Sequence, residues 1–429
     1  MSFKNLAFFI ASLFFSLPTF ASASLTLPQL PTFSSAEHIA IGDDVVIKFS
    51  PDTPGQKSAL LHLPNQLNLS YGTILALGDF YGTPGQPISA GNSENEKRAR
   101  FLAAFNQFAV NNPTDINQIV TIMQAEKKLI EDGLKNGESE ESIYQKVGDD
   151  FDRQYNCVTG GSCVAKVWWT YAGRYLLLAK DDYDHFGDDA WAAYQTGHAI
   201  ALEAAMHAHQ TQDIQALQLA YALNAFAGHF LSDRFATGHI RTPRKLLPIY
   251  VSPTVVGDVL VNYMHNEENF YSLHVHNLQG DHWIAYGDKS YFTDKGATHR
   301  QQLLATLQVS ADEIFSTYLT GIAPQNDIVS QLIPIPDEVA NAANQDISPL
   351  FYWDKQTNQL LRREDIANLY DKHWTASWWG WSTLLALKKN QGISLLAQVA
   401  LAQSTLHEKA VQEGLIPDVR VVDYLHAGK

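Results

Sequence analysis

The segment AFAGHFLSDRFATGHIR, residues 225–241, carries His229, Asp233 and His239 at a spacing suited to holding a metal. Apolar residues recur at Leu217, Leu219, Leu223, Phe226 and Phe230, a helical period that predicts one helix from Ile214 to Phe235. Gly238 is expected to stop it, leaving His239 on the exit turn. His229 and Asp233, one turn apart, then share a helix face. A neutral imidazole and a carboxylate so placed make a chelate for a borderline cation such as zinc. The alternative is ordinary histidines beside a chance aspartate.

A second segment, DDYDHFGDDAWAAYQTGHAIALEAAMHAH (residues 181–209), places Asp184 in a turn before a helix and His198 within it. Asp189 is expected to cap that helix, whose apolar face is built from Ala, Ile and Leu. A buried imidazole needs a partner for each ring nitrogen, and metal ligation supplies one. His207 and His209, further along, read as surface residues.

The set Asp184, His198, His229, Asp233 and His239 resembles the zinc-dependent phospholipase C superfamily, which also includes the fungal single-strand-specific nucleases. The matching parts are Asp184-His185-Phe186, the helical His198, and the His-x-x-x-Asp-x-x-x-x-x-His run from His229 to His239. A secreted phospholipase C subgroup is more closely similar, through EHIAIGD (37–43), YGTILALGDFYG (71–82), HFLSDRFATGHIRTPR (229–244) and MHNEEN (264–269). The likeness runs from about residue 34 to residue 290. It implies two or three zinc ions and cleavage of glycerophospholipids, with phosphatidylcholine favoured, to diacylglycerol and a phosphorylated head group. It also implies His38 as a ligand, although the expected mature terminus, Ser24 or Leu25, departs from the family's Trp. A surface-loop histidine is the other reading of His38. The family's last ligand pair maps to His265 with Glu268 or Glu267. His274 and His276 compete with it, and Asp79 in LGDFYG is a further acid candidate or a plain turn residue.

The chain begins MSFKNLAFFIASLFFSLPTFASAS. Lys4, the apolar Leu6–Phe15 run and Ala21-Ser22-Ala23 read as a signal peptide over residues 1–23, so an exported protein, periplasmic or extracellular, is expected. A retained anchor is the alternative. Removing Lys4 and no acid takes the net charge from −15 to −16. That balance disfavours a nucleic-acid partner, whose phosphates call for a basic surface. The two cysteines, Cys157 and Cys163 in NCVTGGSC, are expected to close one short disulfide loop. A small zinc site would need two further ligands, and none lies nearby in sequence.

Helical patterns dominate the rest, so the fold class expected is mainly α: a multi-helical bundle with a few short strands and a C-terminal helical extension. Helices are predicted over Asn117–Asn136, Glu141–Tyr155 and Asp294–Leu319. Two prolines break the pattern between residues 241 and 263. The Pro- and Asn-rich stretch from Ile322 to Pro349 reads as a linker, dividing a hydrolase domain (24–325) from a C-terminal segment (326–429) that opens on a hairpin at YWDKQTNQLL (352–361).

Such a site predicts hydrolytic chemistry. Metal ions bring the pKa of bound water near neutrality and offset charge developing on phosphoryl oxygens. Asp233 is placed to bridge two ions, and Asp184 to ligate one and orient or deprotonate the water. Arg241 and Arg244 are expected either to grip a phosphate or to be surface charges. Trp374, Trp378, Trp379 and Trp381 suit either a membrane surface or a core. The alternatives to a phospholipase C are a zinc-dependent single-strand nuclease or other phosphoesterase, and a non-enzymatic zinc- or lipid-binding exported protein.

Overall fold

The computed structural model describes residues 35–111, 114–147, 150–164, 171–288, 290–344 and 346–389. The expected signal peptide and the last part of the expected C-terminal extension lie outside the described residues. Those described all fall within one unit, Pro31–Lys429. The fold is mainly α, with short antiparallel strands in small sheets.

The helices in chain order are α1 (Ser35–Asp44), α2 (Tyr71–Ala76), α3 (Glu94–Ala109), α4 (Ile116–Lys135), α5 (Glu140–Val147), α6 (Asp150–Val158), α7 (Arg174–Asp181), α8 (Gly187–Thr211), α9 (Ile214–Asp233), α10 (Thr237–Ile240), α11 (Leu247–Tyr250), α12 (Thr254–Phe270), α13 (Ala297–Thr320) and α14 (Glu338–Asn344). The segment expected as one helix over Glu141–Tyr155 is two, α5 and α6. Cys157 and Cys163 are joined as a disulfide at the end of α6.

α9 is the centre of the bundle. The Asp213 side chain caps it by accepting from Gln215 N. From Ala220 to Asp233 every residue is buried, the mark of a helix surrounded on all sides. Phe226 meets Phe101, Phe105 and Phe108 of α3. α8 packs along α9 through the small residues Ala193, Gly197 and Ala201. A Cβ on Gly197 would fall 2.7 Å from that of Ala227, so only glycine permits this approach.

Two expectations about helix ends are corrected. Phe186, not Asp189, is the N-cap of α8. Asp189 lies in the first turn, 3.6 Å from Lys245, where its charge favours the helix dipole. α9 ends at Asp233 rather than at Phe235, and a separate short helix, α10, holds Gly238 and His239. The Gly238 N–H donates to Asn269 Oδ1 of α12 at 2.8 Å, which ties the exit turn to that helix.

The strands are β1 (Leu60–His62), β2 (Asn68–Ser70), β3 (Leu273–His276), β4 (His282–Ala285), β5 (Ile335–Pro336), β6 (Phe351–Asp354), β7 (Gln359–Arg363) and β8 (Trp374–Thr375). β1 pairs with β2, β3 lies between β4 and β5, and β7 lies between β6 and β8. The expected hairpin is the β6–β7 pair. The stretch expected as a linker holds β5 and α14, with β5 completing the β3–β4 sheet. α12 joins a second apolar cluster, where Val256, Leu260 and Met264 meet Leu350, Phe351 and Leu360.

Candidate metal centre

Seven elements or turns supply the imidazoles and carboxylates gathered at the C-terminal end of α9. His38 comes from α1, Asp79 from a 3₁₀ turn, Leu77–Asp79, and His185 from the turn before α8. His229 and Asp233 come from α9, His239 from α10, His265 from α12 and Asp288 from the loop after β4. Gly78 makes room for this assembly, since a Cβ there would lie 2.2 Å from the His229 ring.

Asp233 is the hub. Its Oδ2 lies 2.6 Å from His185 Nδ1 and 3.2 Å from His229 Nε2. Its Oδ1 lies 3.4 Å from His38 Nε2 and 3.8 Å from His239 Nδ1. Asp79 Oδ1 approaches His229 Nε2 at 3.5 Å. On the other side, Asp288 Oδ2 lies 3.8 Å from His239 Nε2 and 3.6 Å from His265 Nε2. Three groups could each hold an ion: His38, Asp79 and His229; His185, His229 and Asp233; His239, His265 and Asp288.

Burial and charge set the protonation of these groups in opposite directions. Burial pulls His38 and His185 down, but hydrogen bonding to Asp233 and the nearby carboxylates outweigh it, raising them to about 9 and about 10. Burial takes His229 well below its usual range, with only part of the loss offset by Asp233. Burial and the neighbouring imidazole His239 take His265 to about 4. Asp79 is raised to about 7 by burial, partly countered by His38 and His185. Asp233 is held low because the histidines around it outweigh its burial.

The donor set fits a metal. His185 Nδ1 and His229 Nε2 are 3.0 Å apart and both face Asp233. Asp79 Oδ2 is buried without a hydrogen-bond partner among the described residues, a costly state that calls for explanation. Imidazole nitrogen with carboxylate oxygen suits zinc and similar borderline cations. Further packing holds the ligands: Phe186 stacks on His239 with centroids 4.6 Å apart. Asn269 Nδ2 donates to Asp288 Oδ2 at 2.7 Å.

Of the residues singled out from the sequence, His38, Asp79, His229, Asp233, His239 and His265 are in these groups. The others are placed elsewhere, so the ligand set expected from sequence is redrawn. Asp184 is fully buried and accepts the backbone N–H groups of Ile88 and Ser89, so it anchors a loop. His198 has both nitrogens engaged, with Glu313 at 2.8 Å and Asn224 at 3.0 Å. Glu268 pairs with Arg241 at 2.6 Å, and Glu267 with Arg363 at 2.8 Å. Those pairings also occupy Arg241. Arg244 pairs with Asp258 at 3.1 Å and donates to the Lys180 carbonyl. His274 binds Asp346, and His276 faces its cross-strand neighbour His282.

Two members were not singled out from the sequence. His185 follows Asp184 in the Asp-His-Phe turn, and its signal was present in that tripeptide. Asp288 sits after a strand with no helical spacing to any histidine. Comparison with models of protein families, with curated proteins and with solved structures gives no match for this chain.

Proposed function

We propose that the chain is a zinc-dependent phosphodiesterase of the phospholipase C type. It hydrolyses glycerophospholipids, with phosphatidylcholine the expected substrate, to diacylglycerol and a phosphorylated head group. The observation that carries this reading is the Asp233 carboxylate, approached by His38, His185, His229 and His239 beside two further carboxylates. Divalent ions bound there supply an acidified water and offset the charge that develops during in-line attack at phosphorus.

The chain's own residues hold and orient. Asp233 belongs to one of the groups and approaches His38 and His239 of the other two, and Asn269 fixes Asp288. His38, Asp233 and Asp288 also line a cavity of about 60 Å³. The resemblance of the quoted sequence strings to secreted phospholipases C supports the same reading, as does the leader-like start for an exported protein.

The substrate class rests on charge and exposed apolar surface. A net charge of −15 disfavours polyanionic nucleic acid. Trp379 and Trp381 are exposed, as are Ile249, Tyr250, Val255 and Leu385, and such residues suit a lipid surface. Trp374 and Trp378 serve the fold instead, donating to the carbonyls of Pro349 and Leu360. No described helix is long and apolar enough to cross a membrane.

The test is to incubate zinc-loaded protein with phosphatidylcholine vesicles and, separately, with single-stranded DNA and RNA. Diacylglycerol with intact nucleic acid is expected. Mononucleotides without diacylglycerol would assign a nuclease, and zinc binding without either product a non-enzymatic role.

A further inference from the structure

The cavity lined by His38, Asp233 and Asp288 is also lined by His299 and Arg300, from the first turn of α13. Trp283, buried on β4, donates its indole N–H to His299 Nδ1 at 3.1 Å. An indole nitrogen only donates, so Nδ1 is an acceptor and the neutral ring carries its proton on Nε2. Nε2 has no hydrogen-bond partner among the described residues, which leaves its N–H to the cavity. Burial holds the ring down to about 4, so it is uncharged near neutrality.

Beside that N–H the cavity carries Arg300 together with the carboxylates Glu37, Asp233 and Asp288. Arg300 donates to the carbonyls of Tyr291 and Thr293 and lies over the Tyr291 ring, which keeps its charge on this wall. The N-terminal end of α13, a 24-residue helix, adds partial positive charge. Glu37, on the same cavity, is engaged by Tyr291 N at 3.0 Å.

We propose that His299 Nε2–H donates a hydrogen bond to an anionic oxygen of the substrate phosphate. Trp283 is the positioning residue that fixes the tautomer. This rests on the phosphoester reading of the site. A neutral donor here holds one non-bridging oxygen while the His and Asp groups face the others. It carries no proton to the leaving group, because an imidazole this hard to protonate is not an acid at neutral pH.

Two substitutions separate donation from mere tying of β4 to α13. His299→Gln places an amide N–H near the position of Nε2 and gives up the Trp283 acceptor. His299→Asn places an acceptor near the position of Nδ1 and gives up the donor. The probe is inorganic phosphate binding to zinc-loaded protein by calorimetry, with zinc content measured on each variant. Phosphate affinity is expected to fall about tenfold in His299→Asn, as for loss of a hydrogen bond to a charged group, and to stay within about threefold of the parent in His299→Gln. Trp283→Phe, which keeps His299 and frees its tautomer, is expected to weaken binding by a smaller factor, and it decides the matter if His299→Asn does not fold. Full phosphate affinity in His299→Asn and Trp283→Phe, or equal loss in His299→Gln and His299→Asn at normal zinc content, overturns the proposal. So does a zinc-loaded parent that binds no phosphate. A parent that binds phosphate yet releases no diacylglycerol overturns the lipid reading alone, and one that takes up no zinc overturns both.

Discussion

His229 Nε2 lies 3.2 Å from Asp233 Oδ2, one turn further along the same buried helix. Helical periodicity fixes that pair, and burial of the helix from Ala220 to Asp233 deprives both groups of water. Everything else at the site is delivered to this pair by other elements: α1, the 3₁₀ turn at Asp79, the turn that holds His185, the short helix α10 with His239, α12 with His265, and the loop after β4 with Asp288.

Asp233→Ala is expected to damage the site more than His38→Ala. Asp233 faces four histidines, whereas His38 is half-buried at the edge of one group. Zinc content and phosphodiesterase rate should both fall by about 100-fold or more in Asp233→Ala and by about tenfold in His38→Ala, on the scale seen when a metal's support is removed. A folded Asp233→Ala protein with normal zinc and rate contradicts the role given to this carboxylate.

Substitutions at Asp184 and His198 should act on stability and leave the metal in place. His198→Ala strands Glu313 and Asn224, and Asp184→Asn weakens the anchor for Ile88 and Ser89. Each should cost about 1–3 kcal/mol in chemical denaturation with unchanged zinc per chain. Loss of zinc in folded His198→Ala would return that residue to the ligand set.

Those two residues mark what the sequence makes legible. Periodicity identifies the helices and the buried faces, so the His229–Asp233 pair and the hairpin around Thr357 can be read directly. It does not say what a buried histidine binds. His198 looked like a ligand because its helix is apolar, but its partner Glu313 lies 115 residues away on α13, and no spacing connects them. Glu268 has the same history: it shares a helix face with His265, yet Arg241 takes it. Asp288 was illegible for the converse reason. It reaches the site because β4 pairs with β3 and returns the chain there, which is a tertiary fact. In the Asp-His-Phe turn, Asp184 takes the Ile88 and Ser89 N–H groups while the adjacent His185 meets Asp233, a division that spacing does not encode.

The metal-free protein should lose stability as pH rises. His38 and His185 are raised to about 9 and about 10 against 6.5 unfolded. A raised folded-state pKa contributes stability that is fully present below about pH 6.5 and is lost as pH passes through the folded-state value. The Tm of chelator-treated protein, followed by calorimetry, should therefore fall between pH 7 and pH 10, and zinc-loaded protein should show a smaller decline because protons and zinc compete for the same nitrogens. A flat profile for the metal-free protein contradicts the charge assignment around Asp233.

The most direct measurement is diffraction at the zinc absorption edge from crystals of zinc-loaded protein. Two or three anomalous peaks are predicted among His38, Asp79, His185, His229, Asp233, His239, His265 and Asp288, at about 2.0–2.2 Å from the ligating atoms. Zinc bound instead at His198 and Glu313, or no zinc at the end of α9, would contradict the account.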